Sequence, residues 1–180
     1  MELFLEQLYD AITAPNLWPS VLERLSALTG AEGAVLMVAG PSGFRWTSSP
    51  EIQRHAQVLW SSGELKMRFE RLTAHSAACF LTEHDIFSGE EIRHQRATTL
   101  GAMELGWYAS AAFEVSTGEI YAFFLERSLT QGPFPNDILA ILAEIWPHLA
   151  RTVKYSTQRS RRHINLAVRV LEGWACCGDP

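Results

Sequence analysis

The chain has 180 residues, the size of one domain, and 47% of them are hydrophobic, which is enough for a sizeable core. Aspartate and glutamate (20) outnumber lysine and arginine (15), so the formal net charge of −5 provides no overall positive field toward nucleic acid or anionic lipid. The N-terminus lacks the features of a signal peptide, and no apolar run approaches the roughly 18 to 20 residues that span a bilayer, so we expect a cytoplasmic protein without membrane contact.

Residue types that could carry catalysis or hold a cofactor are scattered. The three cysteines, Cys79, Cys176 and Cys177, lack C-x-x-C spacing and fit a reducing compartment. The six histidines lack metal-ligand spacing, and the sequence contains neither a glycine-rich phosphate loop nor the G-x-S-x-G turn of hydrolases. His84 and the carboxylates on either side are interpreted as a solvated turn rather than an acid–base group. We therefore expect no enzyme, no metal and no cofactor.

Two amphipathic helices are predicted at the N-terminus, because apolar side chains recur there every three or four residues. The first stripe is Leu5, Leu8, Tyr9 and Ile12, and the second is Trp18, Val21, Leu22, Leu25 and Leu28. Pro15 interrupts the pattern, and Gly30 is suited to end the second helix with a positive φ. The apolar run 34–38 then predicts a buried strand, with a turn at 40–43 and an antiparallel partner over 44–48.

The middle of the chain predicts three helices and one short strand. The helices are indicated by Ile52, Ala56 and Leu59, by Leu65, Phe69 and Leu72, and by the S-x-x-E capping box of Ser88 and Glu91, which starts a helix over residues 89–99. The strand is expected at 79–81.

The clearest β signal is a second hairpin. Residues 107–115 and 120–126 are rich in aromatic and β-branched types and are separated by a turn that contains Gly118. Asn136 then caps a long helix that Pro147 is expected to kink. The apolar stripe of that helix is Ile138, Leu142, Ile145, Leu149 and Val153. This order predicts an α+β fold: a central antiparallel β-sheet flanked by helices, with N-terminal helices and a long C-terminal helix.

Several segments resemble one protein family. They are Leu8-Tyr9-Asp10-Ala11, Asn16-Leu17-Trp18-Pro19-Ser20-Val21-Leu22, Asp85-Ile86-Phe87-Ser88-Gly89-Glu90-Glu91, Leu125-Glu126-Arg127, Gly132-Pro133-Phe134 and Pro147-His148-Leu149-Ala150-Arg151. Together they are similar to the GAF/PAS-like N-terminal sensor domains of LuxR-type helix-turn-helix transcription regulators. The resemblance covers residues 5–157.

The resemblance implies an antiparallel sheet carrying helices, an effector pocket on one face and output through the terminal helix. It divides the chain into a sensor domain over 1–157 and a C-terminal signalling or dimerisation helix and tail over 158–180. In that family a DNA-binding module lies at the far C-terminus, and too few residues follow 157 to form it. Either a separated piece of a regulator or a stand-alone sensor is expected; the alternative function is a ligand-free interaction or dimerisation adaptor.

Aromatic side chains on the predicted strands are the candidate ligand-binding residues. Alternate residues of a strand share a face, and small residues between aromatic ones leave room for a flat molecule. The candidate set is Trp46, Trp107, Ala109, Ala111, Phe113, Tyr121 and Phe123. The expected effector is small and aromatic or apolar. Simple packing of helices on the sheet explains the same pattern and stays open as the alternative.

The segment after residue 157 carries a further apolar stripe. Its members are Ile164, Val168, Leu171 and Trp174. Because little of the domain is left for them to cover, they predict a helix-to-helix dimer seam, and with it a homodimer or a regulator partner. The basic side chains between Lys154 and Arg169 are interpreted as the solvated face of this helix, so no direct contact with nucleic acid is expected.

Overall fold

A computed structural model describes residues 1–41, 43–75 and 79–175, with side chains described as far as residue 157. Within these ranges the chain forms five strands and seven α-helices. The strands are β1 (Gly33–Gly40), β2 (Gly43–Ser48), β3 (Leu81–Thr82), β4 (Leu105–Glu114) and β5 (Ile120–Ser128). The helices are α1 (Glu2–Asp10), α2 (Trp18–Thr29), α3 (Gln53–Ser61), α4 (Glu64–Thr73), α5 (Glu83–Ile86), α6 (Gly89–Ala97) and α7 (Asn136–Ala175).

The strands form one antiparallel sheet in the order β2-β1-β5-β4-β3. β1 with β2 and β4 with β5 are hairpins, and their turns use glycines at positive φ, 92° at Gly43 and 77° at Gly118. The two hairpins meet where β1 pairs with β5, which sets Val35 opposite Phe124. The predicted α+β fold with a central antiparallel sheet is confirmed.

Helices cover both faces of the sheet, and consecutive strand residues serve opposite faces. On one side, named here the α7 face, α1, α2 and α7 pack over strand residues such as Leu36 and Phe123. On the other, named the α4 face, α3, α4 and α6 pack over residues such as Val35 and Phe124. The fold is therefore a three-layer arrangement with a separate apolar core on each side of the sheet.

Helix α7 is one continuous helix of 40 residues. Pro147 lies inside it, and the helix persists through this residue because Trp146 and Leu149 on either side are buried in the α7-face core. The polar stretch after Ser156 continues the helix, which crosses residue 157 without a break. In the ranges given above, none of the helices has both the length and the hydropathy that a membrane span requires.

Two local predictions around residues 79–85 are wrong. The short strand starts at Leu81 rather than Cys79, and Cys79 is exposed. His84 and Asp85 are exposed as expected, but residues 83–85 are part of α5 rather than a turn, and this helix begins where Asp85 accepts the backbone N–H of Thr82 at 2.8 Å. Glu83 is buried, because Arg96 donates to its carboxylate at 2.9 Å inside the domain.

The capping box expected at the start of α6 is present and gives a first test. Ser88 Oγ accepts from the Glu91 N–H at 3.3 Å, and the Glu91 carboxylate accepts from the Ser88 N–H at 2.8 Å. We expect Ser88→Ala to lower the free energy of unfolding by about 1 kcal/mol, because a helix amide loses its acceptor.

Urea denaturation measures this loss, with Ser61→Ala as the matched control. The Ser61 hydroxyl is exposed and donates only to carbonyls of its own helix, so its removal should change stability by less than about 0.5 kcal/mol. Equal losses in the two variants would contradict a capping role for Ser88.

Candidate functional site

A buried arginine on α4 marks the first candidate site. Leu65, Phe69 and Leu72 of α4 pack into the α4-face core, and Arg68 lies on the same stripe at helical spacing. Arg68 is 1% exposed. Because a guanidinium group keeps its charge in a protein interior, the core has to supply partners for it.

Three residues surround the guanidinium group of Arg68. Its Nη1 donates to Glu126 Oε1 of β5 at 2.8 Å, and its Nε donates to Glu64 Oε1, one helical turn earlier, at 3.1 Å. Its central carbon lies 4.2 Å from the centre of the Tyr108 ring on β4, a cation–π contact. The result is a buried ion pair that connects α4 to both strands of the second hairpin, β4 and β5.

Four of the seven buried side-chain polar atoms without a partner in the described part of the chain belong to this region. Arg68 Nη2, Tyr108 Oη, Ser110 Oγ and Glu126 Oε2 are all buried, and none has a hydrogen-bond partner among the residues that the structure describes. Tyr108 lies directly opposite Glu126 in the sheet, and Ser110 is two residues further along the same face of β4. We call these four residues the polar patch.

The polar patch has unused hydrogen-bond donors and unused hydrogen-bond acceptors. Arg68 Nη2 offers a donor, Glu126 Oε2 an acceptor, and the two hydroxyl groups can do either. Buried polar groups in folded proteins are nearly always hydrogen-bonded, and one left without a partner costs about 1–3 kcal/mol. A small polar molecule that reached the patch could therefore satisfy several groups at once.

Burial changes the acid–base properties of the patch. Removal from water raises the pKa of Glu126 above its ordinary value, and the nearby Arg68 charge only partly opposes this shift. Burial likewise raises the pKa of Tyr108, with Arg68 again opposing, so the phenol stays protonated and able to donate a hydrogen bond.

A second ion pair holds Tyr108 in place. Glu83 accepts from the Tyr108 backbone N–H at 3.2 Å and from Arg96 Nη2 at 2.9 Å. Arg96 in turn donates to the carbonyl of Gly106 at 2.7 Å and stacks 3.7 Å above the Trp107 ring. Trp107, a predicted ligand residue, thus packs against Arg96 at the start of β4.

A groove on the surface adjoins the polar patch. It has a volume of about 450 Å³, lies between α4 and α6, and is named here the α4–α6 groove. Two of its lining residues also touch the patch: Glu64 accepts from Arg68, and the Phe87 ring packs edge-on against the Tyr108 ring at 6.5 Å between centres. The patch and the groove are therefore separated by these side chains.

The second candidate site is a groove of about 650 Å³ on the opposite side of the sheet. It is named here the α7 groove, because the last described turns of α7 form one wall. Its lining residues are Pro15, Trp18, Leu36, Val38, Pro41, Arg45, Trp46, Thr47, Glu119, Tyr121, Val153, Ser156 and Thr157.

The seven predicted ligand residues are divided by the structure. Tyr121 lines the α7 groove, and Trp46 borders it from β2, but the Trp46 side chain shares the sheet face of Met37 and packs against the α4-face core. Phe113 stacks on Tyr121 with ring centres 5.9 Å apart, and Phe123 lies 5.9 Å from Trp18. The remaining members are Ala109 and Ala111, which are fully buried in the α7-face core, and Trp107, which stacks on Arg96.

The sequence analysis did not select Arg68 or Glu126, although each leaves a signal. Arg68 interrupts an otherwise apolar helical stripe, and Glu126 ends an apolar strand run. A charge at such a position is either exposed to solvent or buried with a partner. The partner could not be predicted, because Arg68 and Glu126 are 58 residues apart in the sequence. Within the described part of the chain, no group of histidine, cysteine, aspartate or glutamate is arranged to hold a metal ion.

The predicted dimer seam lies at the far end of α7. Its members are Ile164, Val168, Leu171 and Trp174, whose backbone is helical but whose side chains are outside the described residues.

Solved structures that share this fold include two regulator domains, whereas no protein-family model and no curated protein matches the sequence. The VqsR ligand-binding domain from Pseudomonas aeruginosa superposes with a TM-score of 0.67 at 12% identity, covering 87% of this chain and 96% of that one. CepR2, an N-acylhomoserine lactone dependent LuxR family transcription factor from Burkholderia cenocepacia, superposes with a TM-score of 0.62 at 14% identity, covering 88% and 96%. The chain has the fold of LuxR-type ligand-binding domains, and the sequence resemblance is confirmed at the level of the fold.

The Arg68–Glu126 pair gives a test of stability. We expect Arg68→Met to lower the free energy of unfolding by about 3–5 kcal/mol, because it leaves the Glu126 carboxylate buried without its cation. Arg71→Met is the matched control: it is the same change on the same helix, but the Arg71–Glu91 pair is exposed and should contribute at most about 1 kcal/mol.

The double variant Arg68→Met with Glu126→Leu should recover most of the loss, since an apolar pair of similar size needs no charge compensation. Urea denaturation measures all three variants. A loss in the double variant as large as in Arg68→Met would contradict an origin in the stranded carboxylate.

The raised pKa of Glu126 sets the sign of a pH dependence. A carboxyl group whose pKa is higher in the folded state binds its proton more tightly there, so its contribution to stability is lost as the pH rises from the ordinary value of 4.5 through the folded pKa. We expect Glu126→Gln to gain stability relative to the natural chain as the pH is raised from below 4.5 into the neutral range.

Glu91→Gln is the control of opposite sign. The Ser88 backbone and side chain lower the pKa of Glu91, so its contribution is present above the ordinary value and is lost as the pH falls. Relative to the natural chain, the free energy of unfolding should rise with pH for Glu126→Gln and fall with pH for Glu91→Gln. The same pH dependence in both variants would contradict a raised pKa of Glu126 in the folded state.

Proposed function

We propose that this chain is the sensory domain of a LuxR-type transcription regulator, which binds a small effector at the polar patch and transmits its presence through α7. The observation that carries the proposal is the set of four buried polar atoms without a partner in the described protein. The fold shared with VqsR and CepR2 supports a regulatory role. The polar patch supports a bound ligand, since an apolar core would be more stable than one with unmet polar groups.

The patch favours an uncharged effector with a donor and an acceptor close together. An acceptor oxygen would receive hydrogen bonds from Arg68 Nη2 and Tyr108 Oη, and a neighbouring N–H or O–H would donate to Glu126 Oε2. A full negative charge would add to those of Glu64 and Glu126 around one guanidinium group. An amide meets these requirements, and N-acylhomoserine lactones, on which CepR2 is described as dependent, contain one.

The connection to α7 runs through β5 and the residues that follow it. Glu126 belongs to β5, and the chain leaves this strand to form α7, which packs back on the sheet through Leu142, Leu149 and Val153. A ligand that changes the position of Glu126 would act on the strand against which α7 rests. Residues 158–175 of α7 would then carry the signal to a second copy of the chain or to another regulator.

A ligand-free dimerisation adaptor is the second candidate function. The continuation of α7 as a helix beyond residue 157, into the segment that carries the predicted dimer seam, favours it. Such an adaptor needs no molecule at the polar patch, and the binding experiment therefore separates the two functions.

The test is a thermal-shift and calorimetry screen with small amides, including N-acylhomoserine lactones of several chain lengths. A bound effector should raise the unfolding midpoint of the natural chain. Tyr108→Phe should weaken its affinity by up to about tenfold, because one buried hydrogen bond is lost. The free variant should be as stable as the natural chain or slightly more so, since the removed hydroxyl has no partner among the described residues.

Tyr155→Phe is the matched control, because this tyrosine is exposed on α7 and its hydroxyl should not affect binding. Equal affinities for the two variants would contradict binding at the polar patch. No midpoint shift with any amide would favour the adaptor.

A further inference from the structure

The α7 groove is built from both the sheet and the output helix. Its floor is Leu36 and Val38 of β1 with Tyr121 of β5, and Trp18 at the start of α2 forms one wall. The opposite wall is formed by Val153 and the two residues 156–157 of α7. A molecule in the groove would touch the sheet and α7 at the same time.

The size and surface of the groove suit a small aromatic molecule. Its volume of about 650 Å³ lies within the range of small-molecule sites, roughly 300–1,000 Å³. Val38 and Tyr121 are only half-buried, so apolar surface remains available to a ligand. The phenol ring of Tyr121 stacks on Phe113 and still contributes aromatic surface to the groove, whereas Trp18 is largely buried against Phe123 and offers only its edge.

The charges at the rim cancel each other. Arg45 and Glu119 are the two lining residues with opposite charges, and Arg45 Nη2 donates to Glu119 Oε1 at 2.7 Å. Glu119 is held further by the Thr117 hydroxyl at 3.2 Å. Burial raises the pKa of Tyr121, so this phenol adds no charge. A charged ligand would have to lose hydration without a free counter-charge, and an uncharged ligand would not.

Hydroxyl groups mark the end of the groove at α7. The Tyr121 and Thr157 hydroxyl groups are 3.0 Å apart, and Thr157 also donates to the Val153 carbonyl at 2.9 Å. Ser156 lies beside them in the lining. Because Thr157 donates to Val153, Tyr121 donates to Thr157, and a hydroxyl group on the ligand could donate to Tyr121 and join this chain of hydrogen bonds, which ends on the backbone of α7.

We infer that the α7 groove is a second ligand site. It takes a small uncharged aromatic molecule whose one polar end forms a hydrogen bond to the hydroxyl groups next to α7. The site is separate from the polar patch, shares no lining residue with it, and keeps Tyr121 of the residues selected from the sequence. Binding in the α7 groove therefore does not depend on binding at the polar patch.

The probes are 4-phenylphenol and biphenyl-4-carboxylate, which have the same ring system but differ in charge. Calorimetry on the full chain should show 4-phenylphenol binding at least about tenfold more tightly, because the carboxylate meets Glu119 and has no free cation. Equal affinities, or tighter binding of the carboxylate, would overturn the inference.

Two variants locate the site. Thr47→Trp should fill the groove from β2 and abolish binding, whereas Thr130→Trp, in the exposed loop after β5, should leave it unchanged. Thr157→Ala keeps the groove open and should weaken binding about three- to tenfold through the loss of one hydroxyl. Unchanged binding in both Thr47→Trp and Thr157→Ala would place the probe elsewhere and overturn the inference.

Hydrogen exchange tests the contact with α7. Bound 4-phenylphenol should slow amide exchange in residues 153–157 of the natural chain, and this protection should be lost in Thr47→Trp but not in Tyr108→Phe. Loss of the protection in Tyr108→Phe would show that the probe binds at the polar patch, which would overturn a separate site while leaving the proposed effector site intact.

Discussion

The ion pair between Arg68 and Glu126 is the contact on which the α4 face of the sheet depends. It joins a helix to the middle of the sheet with a charged hydrogen bond where water does not reach, so direction as well as distance is fixed. Two apolar side chains would need no such partners. The protein instead keeps two charges and several unmet polar atoms at this point, which is the arrangement expected of a binding site rather than of a core packed for stability alone.

Strand β5 connects the two candidate sites, because its side chains alternate between the faces of the sheet. Phe124 and Glu126 belong to the α4 face, whereas Tyr121 and Phe123 belong to the α7 face. If a ligand on one face displaces β5, the side chains on the other face have to move as well, because both cores are closely packed. Helix α7 follows this strand in the chain and packs against it, which places the proposed output helix next to both candidate sites.

Local chemistry made most of the elements predictable. Gly30 takes the left-handed conformation expected at the end of α2, with φ 64°, and Ser88 caps α6 through Glu91 as their spacing indicates. Both features act within a few residues. The second hairpin follows the same rule, because its turn and its alternating side chains are adjacent in sequence. The error at Glu83 has the opposite origin: its burial depends on Arg96, thirteen residues away on another helix.

Apart from β3 and α5, the sequence by itself determined the order of the elements, the two hairpins, the apolar stripes of α1, α2, α3, α4 and α7, and the aromatic character of β5, because periodicity and turn chemistry are local properties. The tertiary structure alone decided which faces those aromatic residues share, that Trp107 stacks on Arg96, and which groups face Arg68. The physical reason is distance along the chain. A buried charge is stable only with its partner, and no short-range pattern records that the partner of an α4 residue lies on β5.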